Sequence, residues 1–292
     1  MPADAVDLHM HSTASDGEET PEALARRCAD AKLTAVALTD HNSTAHVRRM
    51  TAACAELGVD VVPACEISTN WLGREQHCLA YFVPLDDPVF AARIDRVRSE
   101  DVARSMRWVE NAAADGVPIT WAQVEEAVGP DRVPPFAYLA RVLASTGDPR
   151  LERYRASRGH MWGEFFAKGK AWATHDPWRP TLPEAIAWVR EVGGVPVLAH
   201  PGVTLGDADP AVALGELRDV GLLGVEAWTT WHKRETSERF EGVARATGLA
   251  VTAGADYHGP VVKPFVASPG QVEHNDAGRL RELEAARDRA RG

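Results

Sequence analysis

The sequence predicts an α/β protein built on a mainly parallel sheet and interrupted by a mainly helical insert. Three observations carry this. Apolar runs alternate with helical patterns from the start to about residue 83, the same rhythm returns near residue 181, and the stretch between reads differently. The first part runs AVDLHMH, TPEALARRCADA, LTAVALTDH, STAHVRRMTAACAEL, VDVVPACE and HCLAYFV. Thr20 before Pro21 is a helix cap followed by a first-turn proline, and Gly58 can end the second helix. In the last part Thr181 and Glu184 make a capping-box pattern before AIAWVREV. GVPVLA, a helix around 209–220, LGVEAW, a long helix from about 232 and LAVTAG follow. The expected division is therefore a first α/β part over 1–86, a helical insert over 87–180 and a second α/β part over 181–292. The insert opens with DDPVFAARIDRVRSEDVARSMRWVENAAADG, which reads as a solvated amphipathic helix pair. The closing GRLRELEAARDRARG reads as a charged terminal helix free to fray.

Composition excludes several classes. The 292 residues are 45% hydrophobic and 25% charged, ordinary for a globular chain. No run approaches the roughly 20 apolar residues that span a bilayer. MPADAVDLHMH lacks the basic-then-apolar plan of a signal peptide, so the expectation is a cytoplasmic protein with no membrane partner. Cys28, Cys54, Cys65 and Cys78 form no CxxC pair and read as reduced core residues. A formal net charge of -10 argues against stable, sequence-independent nucleic-acid binding, which needs broad basic surfaces.

Metal-ligand residue types recur at the ends of the apolar runs: His9 and His11, His41, Glu66, His200, then Asp256 and His258. In a parallel α/β barrel those strand ends share one face, so distant residues converge. His9 and His11 are two apart on an extended segment and lie on the same side of it, and Asp256 and His258 repeat the spacing. Asp16 and His77 are weaker on spacing alone. One such residue at a strand end is ordinarily a cap; seven in succession are not.

These residues carry a resemblance to a known family. His9-Met10-His11-Ser12 with Ser15-Asp16-Gly17, Thr39-Asp40-His41, Cys65-Glu66-Ile67-Ser68, His77, Ala199-His200-Pro201 and Gly254-Ala255-Asp256-Tyr257-His258-Gly259 resemble the polymerase and histidinol phosphatase (PHP) family of metal-dependent phosphoesterases. Within it the chain looks most like stand-alone bacterial phosphatases acting on nucleoside monophosphates and 3',5'-bisphosphates. The resemblance implies a distorted (β/α)7 barrel with the helical insert as substrate subdomain, and a site for three divalent ions. Manganese is the usual metal, with zinc, iron or magnesium as alternatives. It places His9, His11, Glu66 and Asp256 on the first ion, Glu66, His77 and His200 on the second, and Asp16, His41 and His258 on the third. Asp40 is implied to orient ligands rather than bind metal. Three ions bring +6 and the carboxylates of Asp16, Glu66 and Asp256 bring -3, so the pocket would draw a phosphate dianion into an acidic protein. The implied mechanism is attack on phosphorus by a metal-bridging hydroxide held by Glu66, Asp256 and His200.

The departures from the pattern fall in the insert. Where such phosphatases often carry Arg-Pro-His-Ile-Ala-Arg, this chain has Phe136-Ala137-Tyr138-Leu139-Ala140-Arg141, and Gly169-Lys170-Ala171-Trp172-Ala173 replaces a Gly-x-Pro-Ala-Tyr segment. Arg141, Lys170, His232 and Tyr138 are the candidate substrate contacts. Trp162, Trp172, Trp178, Trp228 and Trp231 supply rings that suit either packing or stacking. The expected function is hydrolysis of a nucleotide or nucleoside bisphosphate. Alternatives are a phosphatase for a modified nucleoside or sugar phosphate, or a short-oligonucleotide exonuclease. A non-catalytic metal-binding module is disfavoured by the complete ligand set.

Overall fold

A computed structural model describes residues 4–129, 133–155 and 160–291, with Arg155 described by its backbone alone. It divides into two compact units, residues 1–97 with 179–292, and residues 98–178. The first holds a seven-stranded sheet in sequential order: β1 (Val6–Met10), β2 (Ala35–Leu38), β3 (Asp60–Trp71), β4 (Arg74–Tyr81), β5 (Val195–Leu198), β6 (Gly224–Thr229) and β7 (Ala250–Gly254). A further bridge between Met10 and Tyr257 brings the two ends together, giving a nearly closed, distorted barrel.

Each apolar run named above supplies one of these strands, but one runs backwards. β4 pairs antiparallel with both β3 and β5, whereas the other pairs are parallel. The cause is local. β3 continues to Trp71 and turns through Leu72 and Gly73, both at positive φ, and so tight a turn can join only antiparallel strands. The reversal puts the early part of β4, with His77, at the face where the parallel strands end.

The helices of this unit follow their sequence signals. Thr20 caps α1 (Pro21–Asp30) by accepting from the Ala23 amide. α2 (Val47–Ala55) is followed by Gly58 in the left-handed region. α3 (Pro88–Ala114) is one continuous helix rather than a pair. Its first turns bury Phe90 and Ile94 among barrel residues such as Ile67 and Leu198, so the first unit extends to residue 97. Thr181 and Glu184 form the full capping box on α6 (Leu182–Glu191). All four cysteines are free and buried.

The closing helix is also docked rather than loose. It buries Leu283 and Ala286 in the cluster that contains Val6, Leu8, Leu79 and Val197. Apolar residues at its positions 283 and 286 give it one buried stripe despite its charge.

Residues 98–178 hold the rest of α3 with α4 (Trp121–Val128) and α5 (Phe136–Ala144), and no strand among the described residues. Their core joins Trp108, Leu139, Leu143, Phe166 and Trp172. Trp172 stacks on Phe165 at 4.2 Å and donates to Asp115.

Asp7 fastens the seam between β1 and the segment after β7. Its Oδ1 accepts from the amides of Ala255 (2.9 Å) and His9 (3.2 Å), and its Oδ2 from the Gly270 amide (2.6 Å). Burial lifts its pKa to about 6 despite the three donors, so the carboxylate is kept for its geometry. Asp7→Ala leaves buried amides without an acceptor, and urea unfolding of the metal-free protein should register a loss of about 3 kcal/mol.

Candidate metal centre

Six histidines and three carboxylates meet at one end of the barrel, with Glu66 in the middle. Glu66 sits on β3, is fully buried, and offers both oxygens to ring nitrogens. Its Oε2 lies 3.1 Å from His9 Nε2, 3.2 Å from His11 Nε2 and 3.3 Å from His41 Nδ1; its Oε1 lies 3.0 Å from His77 Nδ1 and 3.2 Å from His200 Nε2. Asp256 Oδ1 approaches His9 Nε2 at 3.3 Å and His11 Nε2 at 3.1 Å. Asp16 Oδ2 approaches His258 Nε2 at 3.2 Å and His41 Nε2 at 3.9 Å.

Three groups of donor atoms fall within 4.8 Å of one another: His9, His11, Glu66 and Asp256; His41, Glu66 and His77; and His11, Asp16, His41 and His258. His200 joins the second through its contact with Glu66. All nine residues expected as ligands are thus gathered in one place.

These residues fit divalent cations. The buried His41 Nδ1, His77 Nδ1, His200 Nδ1 and Asp256 Oδ1 have no hydrogen-bond partner, His77 Nδ1 meeting Glu66 off the bonding direction. His9 Nε2 and His11 Nε2 face each other at 3.2 Å, where two lone pairs repel unless a proton or a cation lies between them. Nitrogen and carboxylate donors without thiolate suit manganese, iron or zinc.

Other residues aim the ligands. Glu226, fully buried on β6, takes the His9 Nδ1 proton on Oε1 and the His200 backbone N–H on Oε2, both at 2.9 Å, which turns His9 Nε2 toward the centre. His258 Nδ1 donates to the Asp256 carbonyl at 2.9 Å, freeing Nε2. Asp40 accepts from the Ser12 amide and hydroxyl and the Ser15 hydroxyl at 2.7–2.8 Å, tying the loop that bears His11 and Asp16 to the end of β2. Lys263, 3% exposed, bonds Asp256 Oδ2 at 2.5 Å and the Asp256 carbonyl at 2.8 Å, and Trp231 Nε1 donates to the same Oδ2 at 2.5 Å. Asp256 is thereby left with Oδ1 alone for a metal.

The backbone makes room for this crowding. A Cβ on Gly254 would stand 2.3 Å from the His9 Cβ, and one on Gly17 would stand 2.2 Å from the His11 carbonyl oxygen. His200 (φ 28°) and Asp256 (φ 51°) are non-glycine residues at positive φ, a strain typical of functional sites.

Sequence reasoning missed Glu226, Lys263 and the anchoring role of Trp231. An acid inside the apolar run LGVEAW was a usable signal for Glu226. Lys263 lies in a loop and carried none. His232 spends both ring nitrogens on backbone: Nδ1 donates to the Ala227 carbonyl and Nε2 accepts from the Gly202 amide, both at 2.9 Å, and burial lowers its pKa. It is therefore a brace rather than a free ligand for substrate. In the 98–178 unit, Arg141 lies over the Tyr138 ring at 5.2 Å and Lys170 is exposed. None of the three lines that unit's pocket of about 860 Å³, which has Arg104, Arg107, Lys168 and His175 beside Trp108 and Trp162.

Charge within the cluster is shared. Burial works against ionisation of Glu66, but the charges of His9 and His77 hold it well below the usual carboxylate range. Burial lowers His11 and His77, yet the neighbouring carboxylates outweigh it, and the two rise to about 9 and about 10. His41, where burial dominates, falls to about 3. At pH 7 the metal-free centre therefore holds added protons on His9, His11 and His77 that incoming cations displace. Calorimetric titration in buffers of different ionisation enthalpy should show proton release on metal binding, with affinity rising from pH 6 to 9. Glu226→Gln cannot accept from both the His9 ring and the His200 amide, so it should weaken metal binding about 10- to 100-fold in the same titration.

Comparison with known proteins agrees with this geometry. Residues 7–113 match the PHP domain family. A 3',5'-nucleoside bisphosphate phosphatase of Chromobacterium violaceum is 25% identical over 87% of this chain and 87% of its own length. A 5'-3' exoribonuclease of Salmonella typhimurium is 29% identical over 67% of this chain and 65% of its own. A crystal structure described as a metal-dependent phosphoesterase, from Bifidobacterium adolescentis, superposes with a TM-score of 0.78 at 27% identity, covering 98% of this chain and 97% of that one. The matched domain spans the strands that bring His9, His11, Asp16, His41, Glu66 and His77 together, and over these residues the chain is similar to the PHP domain family.

Proposed function

We propose that the protein is a metal-dependent phosphomonoesterase acting on a nucleotide or nucleoside bisphosphate at the Glu66 centre. The observation that carries this is the set of orphaned buried donors around Glu66, arranged as three overlapping groups of ligand atoms. His9, His11, Glu66 and Asp256 would hold one ion, Glu66, His77 and His200 a second, and Asp16, His41 and His258 a third. When bound, divalent ions lower the pKa of water and offset negative charge on a phosphoryl group.

The chain's own residues do the rest. Glu66 is shared by two ligand groups, and Glu226 sets the His9 ring. Lys263 and Trp231 hold Asp256 to one donor oxygen. Asp40 keeps the loop bearing Asp16 in place. Manganese is the ion we assign, and the four buried free thiols suit a reducing cytoplasm.

Cleavage of a diester is the second reading, favoured by the similarity to a 5'-3' exoribonuclease. No helix among the described residues is long and apolar enough to cross a membrane. Phosphate release should be measured with manganese from nucleoside monophosphates, 3',5'-bisphosphates and a dinucleotide. Faster turnover of the monoesters is expected, and Glu66→Gln should lose at least about 100-fold along with bound metal. Full activity in that variant overturns the assignment, and preferential turnover of the dinucleotide selects the second reading.

A further inference from the structure

Trp231 and Phe265 are large apolar side chains left exposed, at 43% and 53%, in a unit that buries most of its other rings. Both lie within loops that follow strand ends on the metal side. Their rings meet at 5.5 Å and 72°, forming a corner in which one ring offers a face and the other an edge. The corner abuts the centre: the Trp231 indole nitrogen is 2.5 Å from Asp256 Oδ2, and its ring is 6.4 Å from that of His200. It is also held in place. The buried Lys263 ammonium sits 4.3 Å from the Trp231 ring centroid and 5.6 Å from that of Phe265 while bonded to Asp256. Side chains locked this way lose little freedom when a ligand arrives.

Phe265 also lines a pocket of about 260 Å³ together with Thr229, Thr230, His232 and Arg234. Thr229 is 5% exposed, and its hydroxyl has no hydrogen-bond partner. A flat ring with heteroatoms suits such a wall: its faces pack on Phe265, and a polar edge has a hydroxyl to meet. An alkyl group gains the apolar contact but not the stacking or the polar match.

We infer that Trp231 and Phe265 form the subsite for the non-phosphate half of the substrate, and that this half is a planar heteroaromatic ring. The inference rests on the phosphomonoesterase reading, because that reading puts the reaction at the Glu66 centre, to which Asp256 and His200 belong. Phe265 reaches the centre only through Trp231 and Lys263, so its replacement is read as a ratio between two substrates that share that centre, whereas Trp231 bonds a metal ligand directly.

The test compares adenosine 5'-monophosphate with ribose 5-phosphate, which share the scissile bond and differ only in the base. With manganese, kcat/KM for the nucleotide should exceed that for the sugar phosphate at least tenfold. Phe265→Ala should cut that ratio at least fivefold, and Phe265→Trp should restore it. A ratio near one in the unaltered protein, or one that Phe265→Ala leaves unchanged, overturns the subsite. If neither compound releases phosphate from the metal-loaded protein, the phosphomonoesterase reading fails for 5'-esters. Equilibrium dialysis of the same pair then judges the subsite by itself: base-dependent binding lost in Phe265→Ala supports it, and base-independent binding rejects it.

Discussion

Glu66 sets the terms for the barrel end. A fully buried carboxylate is costly unless cations or donors surround it, and here five imidazoles bring a nitrogen to within 3.3 Å of its oxygens. Crowding the rings this closely creates a second cost, because their lone pairs face each other. Divalent cations remove both costs at once. Much of the surrounding architecture follows from that packing: glycine at 17 and 254, left-handed backbone at His200 and Asp256, and buried polar partners for the outer ring nitrogens. Glu226 and Lys263 show the balance. One adds a negative charge where rings must be oriented, and the other adds a positive charge where a carboxylate must be restrained.

The barrel was legible in the sequence because each strand is a short apolar run bounded by polar residues, and the ligands interrupt those runs at their ends. The reversed β4 was less legible. A run of apolar residues carries no direction, and only the short Trp71–Arg74 connection, too brief for a helix, marks the reversal. That is why His77 looked weak on spacing: it stands near the start of its strand, where the others stand near the end. Docking of the terminal helix was hidden for another reason, since its two buried apolar positions are few beside its many charges.

Residues that act through a ligand were the hardest to read. Lys263 and Trp231 lie seven residues after and twenty-five before Asp256, in loops with no periodicity, and only folding brings them to its Oδ2. His232 shows a different limit of reading from position. Its position after the β6 end suggested a substrate contact, yet two backbone groups already claim its nitrogens. A polar residue near a site is available to a ligand only when its own donors and acceptors are not needed to shape the loop.

The chain therefore separates what holds metal from what chooses substrate. Every expected metal-ligand position keeps a competent donor, whereas the insert segment 136–141 keeps only Arg141 of the two arginines and the histidine that the resemblance leads one to expect there. Metal ligands are mutually constrained, because each one contacts others of the set, Glu66 alone meeting five, and a change in one misplaces the rest. A recognition wall has no such mutual constraint. Trp231 stands where the two regimes meet: its N–H serves the metal ligand, and its ring, exposed beside Phe265, is free to serve the substrate. Binding energy from the non-reacting half of a substrate can then align the phosphoryl group against a centre that is already built.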